Sequence, residues 1–151
     1  MKYGVEALEE CRNHTPGKAL EEVILGIIVS TGFVSNLVGI DLNTGLAHAC
    51  YNGFTVCKST EEHGHLHGEI VAYCILILLK VDHQEKEFKK IYEFSKNMGF
   101  PVKLAGIHAT LDDMDAVITK ALSGIDVRVW PYEVTPDMIL DAVKEIEQVA
   151  L

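Results

Sequence analysis

The chain is short of positive charge. Its 151 residues hold 13 Lys and Arg against 22 Asp and Glu, a formal net charge of −9. No stripe of cations gathers on any segment, which argues against nucleic acid, since phosphate binding needs clustered Lys and Arg. Close cysteine pairs are also missing. Cys11, Cys50, Cys57 and Cys74 form no C-x-x-C, so neither a zinc ribbon nor a dithiol redox site is signalled. They read as reduced, buried thiols of a cytoplasmic protein. The longest apolar stretches, residues 23–34 and 70–81, are a dozen residues each. Spanning a bilayer takes about 20, so both are expected to be buried core helices, not membrane anchors. Nothing at either end resembles a targeting signal, and Met1 fits a translation start. No repeat, low-complexity tract or Pro/Ser-rich linker divides the sequence.

What is present is apolar. Hydrophobic residues make up 48% of the chain, enough for a core without disulfides or a structural metal at this length. One domain over residues 1–151 is expected. The patterning is helical. Residues 1–14 read as a frayed or partly helical lead-in. Thr15-Pro16 reads as a helix start, with Thr as cap and Pro in the first turn, and Gly32 as its stop. Residues 33–45 look irregular, residues 46–57 helical at their start, and residues 58–64 a loop. Residues 70–81 are apolar all round, the mark of a helix buried on every side. In residues 84–98, Phe88, Ile91, Tyr92 and Ser95 share one face, Glu85 and Lys89 can pair, and Gly99 and Pro101 stop the helix. Thr110 with Asp113 resembles a capping box, and Thr135-Pro136 opens a last helix. About six helices result, and 127–129 is the only brief β-like run. The fold class is all-α, a helical bundle.

Histidine is where chemistry concentrates. His63, His65 and His67 crowd together, and His48 lies upstream in Ala47-His48-Ala49-Cys50-Tyr51-Asn52-Gly53. A histidine at the mouth of a buried helix is poorly hydrated and needs a partner. His48 and His67, on adjacent helix starts, can converge on one metal, because neutral imidazole suits Zn²⁺ or Fe²⁺. The plainer alternative is two hydrogen-bonded histidines with no ligand role. His63 and His65 read as loop residues, and nothing is assigned to His14, His83 or His108.

Residues 47–55, Ala-His-Ala-x-x-Asn-Gly-Phe-Thr, followed by His-Gly-Glu-x-Val-Ala from 67, resemble the glycerol dehydrogenases of the metal-dependent polyol and alcohol dehydrogenase superfamily. Ser30-Thr31-Gly32-Phe33, Met98-Gly99-Phe100-Pro101-Val102 and Thr135-Pro136-Asp137 follow in the family's order, so the likeness covers roughly residues 15–148. The resemblance implies the helical C-terminal domain of the dehydroquinate synthase-like fold. It implies an oxidoreductase whose metal, zinc or alternatively iron, is held by one aspartate and two histidines, carried over as His48 and His67. Glu69 is implied to orient a ligand or the helix start; a helix-start acid placed by the dipole alone is the alternative. Hydride then passes from a small polyol to NAD.

The sequence departs from the family in four ways. The aspartate ligand lies upstream of residue 1; Asp41 does not match its place, and His63, His65 or Asp41 would have to substitute. No G-x-G-x-x-G or phosphate loop for NAD occurs, so a separate NAD-binding chain is an expected partner. Tyr51 stands where the family has a second histidine. Residues 33–45 lack the usual glycine-rich pattern. The alternatives are a non-catalytic remnant or an oligomerisation or binding domain, self-associating through apolar surface, and, last, a dehydroquinate synthase-like lyase fragment.

Overall fold

The computed structural model describes residues 2–39, 44–128 and 130–150. They fall into two compact units, Met1–Asn43 and Thr44–Leu151. No strand occurs among the described residues, and the fold class is all-α.

In the first unit, α1 (Gly4–Arg12) packs on α2 (Lys18–Leu25). Thr15 does not cap α2. The helix starts at Lys18, and the Glu10 carboxylate from α1 accepts the N–H groups of Gly17 (3.2 Å) and Leu20 (2.7 Å). A carboxylate at a helix N-terminus satisfies orphan donors and complements the dipole, so Glu10 replaces the expected hydroxyl. Gly32 does not end the helix either. A π-helical turn, Gly26–Ser30, leads without a break into α3 (Thr31–Leu37). Residues 33–37, expected to be irregular, are therefore helical; the expectation for residues 40–43, Asp41 included, lies outside the described residues. The run at 23–34 is not a core helix: no residue from 20 to 37 is buried. Lys18–Leu37 is long and apolar enough to cross a membrane by length and composition, a test that core helices and signal sequences also pass.

The second unit holds the hydrophobic core. Its helices are α4 (Leu46–Phe54), α5 (Lys58–Glu62), α6 (His67–Val81), α7 (Glu85–Met98), α8 (Met114–Ser123) and α9 (Pro136–Gln148). α6 is central, packing on α4, α7 and α9, while α4 also packs on α8. α6 buries Ile70, Tyr73, Cys74, Leu76, Ile77 and Val81, but Val71, Ala72, Ile75, Leu78 and Leu79 are half-buried, so the helix is not enclosed on every side as expected. α5 corrects the expected loop at 58–64. On α7, Phe88, Tyr92 and Ser95 are buried, and Gly99 closes the helix with φ of 80°. Glu85, however, pairs with Lys80 (2.8 Å) rather than Lys89. Thr110 and Asp113 do form a capping box, ahead of a short 3₁₀ turn. Thr135 accepts the N–H of Met138 at 3.4 Å with Pro136 in the first turn. The β-like run at 127–129 gives way to a 3₁₀ turn, Ile125–Val127, with Val129 outside the described residues.

Candidate functional site

α4 shows how the local sequence positions His48. The helix is lined with small residues, and Ala47, Ala49, Cys50 and Gly53 are buried. Gly53 has a steric reason to be glycine: a Cβ there would lie 2.4 Å from the carbonyl oxygen of Val117 on α8. Asn52 donates to the Asp126 carboxylate at 3.1 Å, and Thr44 donates to its other oxygen. Much of the motif at 47–53 is thus architecture. It sets α4 against α8 and braces it to the 125–127 turn, leaving half-buried His48 and Tyr51 as the side chains able to reach a ligand.

His67 is the first residue of α6. Its backbone is fixed by Glu69, whose carboxylate accepts the Leu66 N–H at 3.0 Å. The helix-start role is therefore present in the geometry, and the same carboxylate faces His65 Nδ1 at 3.4 Å. His67 is exposed, so poor hydration is not what demands a partner for it, contrary to the sequence expectation. The two helix starts do bring His48 and His67 together. Their ring centroids lie 5.6 Å apart, with Tyr51 edge-on to His67 at 4.2 Å. Two imidazoles sharing a tetrahedral ion at about 2.1 Å have centroids roughly 5 Å apart, a little closer than this pair. A third donor is not in place: among the described residues no group of three His, Cys, Asp or Glu is arranged to hold an ion. Beside the pair, a cleft of about 270 Å³ is lined by Tyr51, Phe54, Thr55, Thr60, Glu61, His65 and Ile70.

The remaining loop histidines gather elsewhere. His63 and His65 make ring contacts with His108, which the sequence left unassigned. His108 follows the 3₁₀ turn Leu104–Ile107 with φ of 55°. Lost hydration, then the neighbouring His63 and His65, hold its imidazole below the usual histidine range. A separation of 43 residues from His65 leaves no local signal for this contact. The thiols match expectation in part: Cys50, Cys57 and Cys74 are buried, Cys11 is exposed. Burial pushes Cys50 up to about 12.

The all-helical second unit, with two histidines at neighbouring helix starts, can be set beside known proteins. No protein-family model matches the chain. It is 28% identical over 146 residues to hydroxycarboxylate dehydrogenase A of Escherichia coli, covering 94% of this chain and 40% of that protein. It is 32% identical over 108 residues to glycerol dehydrogenase of Thermotoga maritima, covering 71% and 28%. The crystal structure of glycerol dehydrogenase from Schizosaccharomyces pombe shares the fold, with a TM-score of 0.80 at 22% identity over 97% of this chain and 37% of that one. These relatives and structural neighbours are glycerol and hydroxycarboxylate dehydrogenases, and the chain resembles the helical C-terminal domain of that family. It spans well under half the length of these relatives.

Proposed function

We propose that this chain supplies the metal-holding half of an NAD-dependent polyol dehydrogenase of the cytoplasm. The observation that carries the reading is the approach of His48 and His67 to 5.6 Å across two helix starts. Each would offer an imidazole nitrogen to a metal, zinc by preference and iron as the alternative. The third ligand, an aspartate in the family, comes from outside the described residues. A metal held by His48 and His67 would supply Lewis-acid chemistry to a substrate hydroxyl. Tyr51, in edge contact with His67, restrains the plane of that ring and lines the adjoining cleft. The cleft's Thr55 and Glu61 are suited to hydrogen-bonding a small polyol. Glu69 holds the start of α6 and with it the backbone of His67. The NAD that accepts hydride is held by a further domain or by a separate NAD-binding chain.

The test is metal analysis and dehydrogenase assay of the chain, alone and mixed with the NAD-binding half of a related glycerol dehydrogenase. Stoichiometric metal and NAD-dependent oxidation of glycerol are expected in the mixture. His48→Ala or His67→Ala should weaken metal binding by about 10-fold or more. A mixture that binds no metal and oxidises no polyol would sink the proposal.

A second reading is a non-catalytic, self-associating domain. It is favoured by the exposed apolar side chains of the first unit, Ile27, Ile28, Phe33 and Leu37 among them. Surface of this kind drives association between copies. A strict monomer in sizing chromatography would count against it.

A further inference from the structure

The second unit carries an open groove between α8 and α9, of about 340 Å³, which none of the histidines lines. Helical spacing builds it. Leu111, Met114, Ile118 and Leu122 recur at intervals of three and four from the 3₁₀ turn Leu111–Asp113 along α8, so they form one apolar stripe. Pro136 and Leu140, four apart on α9, make the facing wall. Met114 and Ile118 are a buried floor, whereas Leu111 is 47% exposed, and Leu122 and Leu140 are half-buried. The rim carries charge of one sign. Asp112 and Asp115 flank the stripe beside α8, and Asp137 stands at the start of α9, all three exposed. The dipole of each helix accounts for an acid in its first turn. It does not account for the lack of a counter-charge. No Lys or Arg lines the groove, and among the described residues no ion pair engages any of the three carboxylates.

We propose that this groove is a docking site for an amphipathic helix of a partner protein, with an apolar stripe bordered by Lys or Arg. The floor and the rim select that occupant together. A groove between two helices receives a third through side chains spaced three and four apart. The volume is at the small end of ligand-sized pockets, about 300–1,000 Å³, so the groove admits the occupant's apolar side chains and leaves its backbone outside. α8 is 10 residues long, about 15 Å at 1.5 Å per residue, so the matching stretch of the occupant spans about three turns. Three carboxylates without counter-charges favour Lys or Arg beside that stripe and steer the encounter. A second copy of this chain is a poor occupant, because its net charge is −9 and like charges across an interface oppose association. The inference stands independently of the dehydrogenase reading.

The experiment is fluorescence anisotropy of the full chain with a labelled Leu/Lys peptide of about 14 residues at amphipathic helical spacing, and with its counterpart in which Glu replaces Lys. The set comprises the wild type, Leu111→Ser, Asp112→Asn/Asp115→Asn/Asp137→Asn and Glu9→Gln/Glu21→Gln/Glu22→Gln. The last removes as many charges from the first unit. Every replaced side chain is exposed, and circular dichroism checks each fold. The wild type should bind the Leu/Lys peptide saturably and one to one, and the Leu/Glu peptide not at all. Binding should weaken about 10-fold or more in Leu111→Ser and in the Asp variant. It should stay within about 2-fold of wild type in the Glu variant. The proposal is overturned by the absence of saturable binding, by binding of the Leu/Glu peptide as well, or by binding unchanged in Leu111→Ser. Equal losses in the two triple variants also overturn it, since net charge alone is then the cause. So does a dimer in sizing chromatography that Leu111→Ser dissolves, because a second copy then fills the groove.

Discussion

Two hydrophobic runs of equal length meet opposite fates in this chain. Residues 70–81 supply Tyr73, Cys74, Leu76 and Ile77 to the core, each fully buried. Residues 23–34 leave Ile27 at 64%, Ile28 at 67% and Phe33 at 63% exposure. Apolarity sets the tendency to be buried, but burial requires surfaces to pack against. α6 has α4, α7 and α9. Within its own unit, the helix at 18–37 has α1, which reaches α2 and covers Ala19.

The contrast yields four predictions. The largest effect is expected from paired truncations. Ile77→Ala should cost about 2–5 kcal/mol by cavity formation, while Ile27→Ala should stay within about 0.5 kcal/mol. Urea midpoints at constant slope check both. Equal costs would mean that the exposed helix has a cover in solution, and the comparison would fail. Gly53→Ala comes next. Alanine normally stabilises a helix interior over glycine by about 1 kcal/mol. Here its methyl meets the Val117 backbone, so a net loss of about 1–3 kcal/mol is expected, read from the same curves.

The third effect is alkaline. The thiol of Cys50 is raised to about 12 by burial, and that of Cys74 is also raised. The unfolded chain therefore loses those protons first as pH climbs above the ordinary thiol value. Stability should then fall by about 1.4 kcal/mol per pH unit for each such thiol, between the unfolded value and the folded one. Denaturant titrations from pH 8 upward follow it, and Cys50→Ala/Cys74→Ala should flatten the slope. Thiol labelling at pH 8 should find Cys11 reactive and the second unit's cysteines protected. The smallest effect lies in the first unit: His14, with φ of 54°, should gain about 0.5–1 kcal/mol on replacement by Gly, which holds that conformation without strain. Thermal melts that show a loss would place a stabilising contact on His14.

Legibility in the sequence followed distance along the chain. The stop at Gly99, the box at Thr110 and Asp113 and the start at Thr135-Pro136 depend on neighbours within one turn, and the residues stated them. The family motif brought His48 and His67 forward, and the fold brings their rings within 5.6 Å. What the sequence did not state needs a partner from elsewhere. Glu10 displaces Thr15 as the cap of α2 because α1 folds back to deliver it. Lys80 takes Glu85 from Lys89 because the turn after α6 brings the two helices' ends together. His108 joins His65 across 43 residues. The exposure of His67 and of residues 23–34 was unreadable for the same reason, since solvent access depends on everything that packs nearby.

The brace between Asn52 and Asp126, with the bare Cα of Gly53 against α8, changes how far a sequence likeness can be taken. A descendant of such an enzyme that stopped turning over substrate would still need those residues in order to fold. Recognition of the stretch at 47–53 is therefore a statement about ancestry and scaffold, and evidence of turnover has to be sought in the two imidazoles.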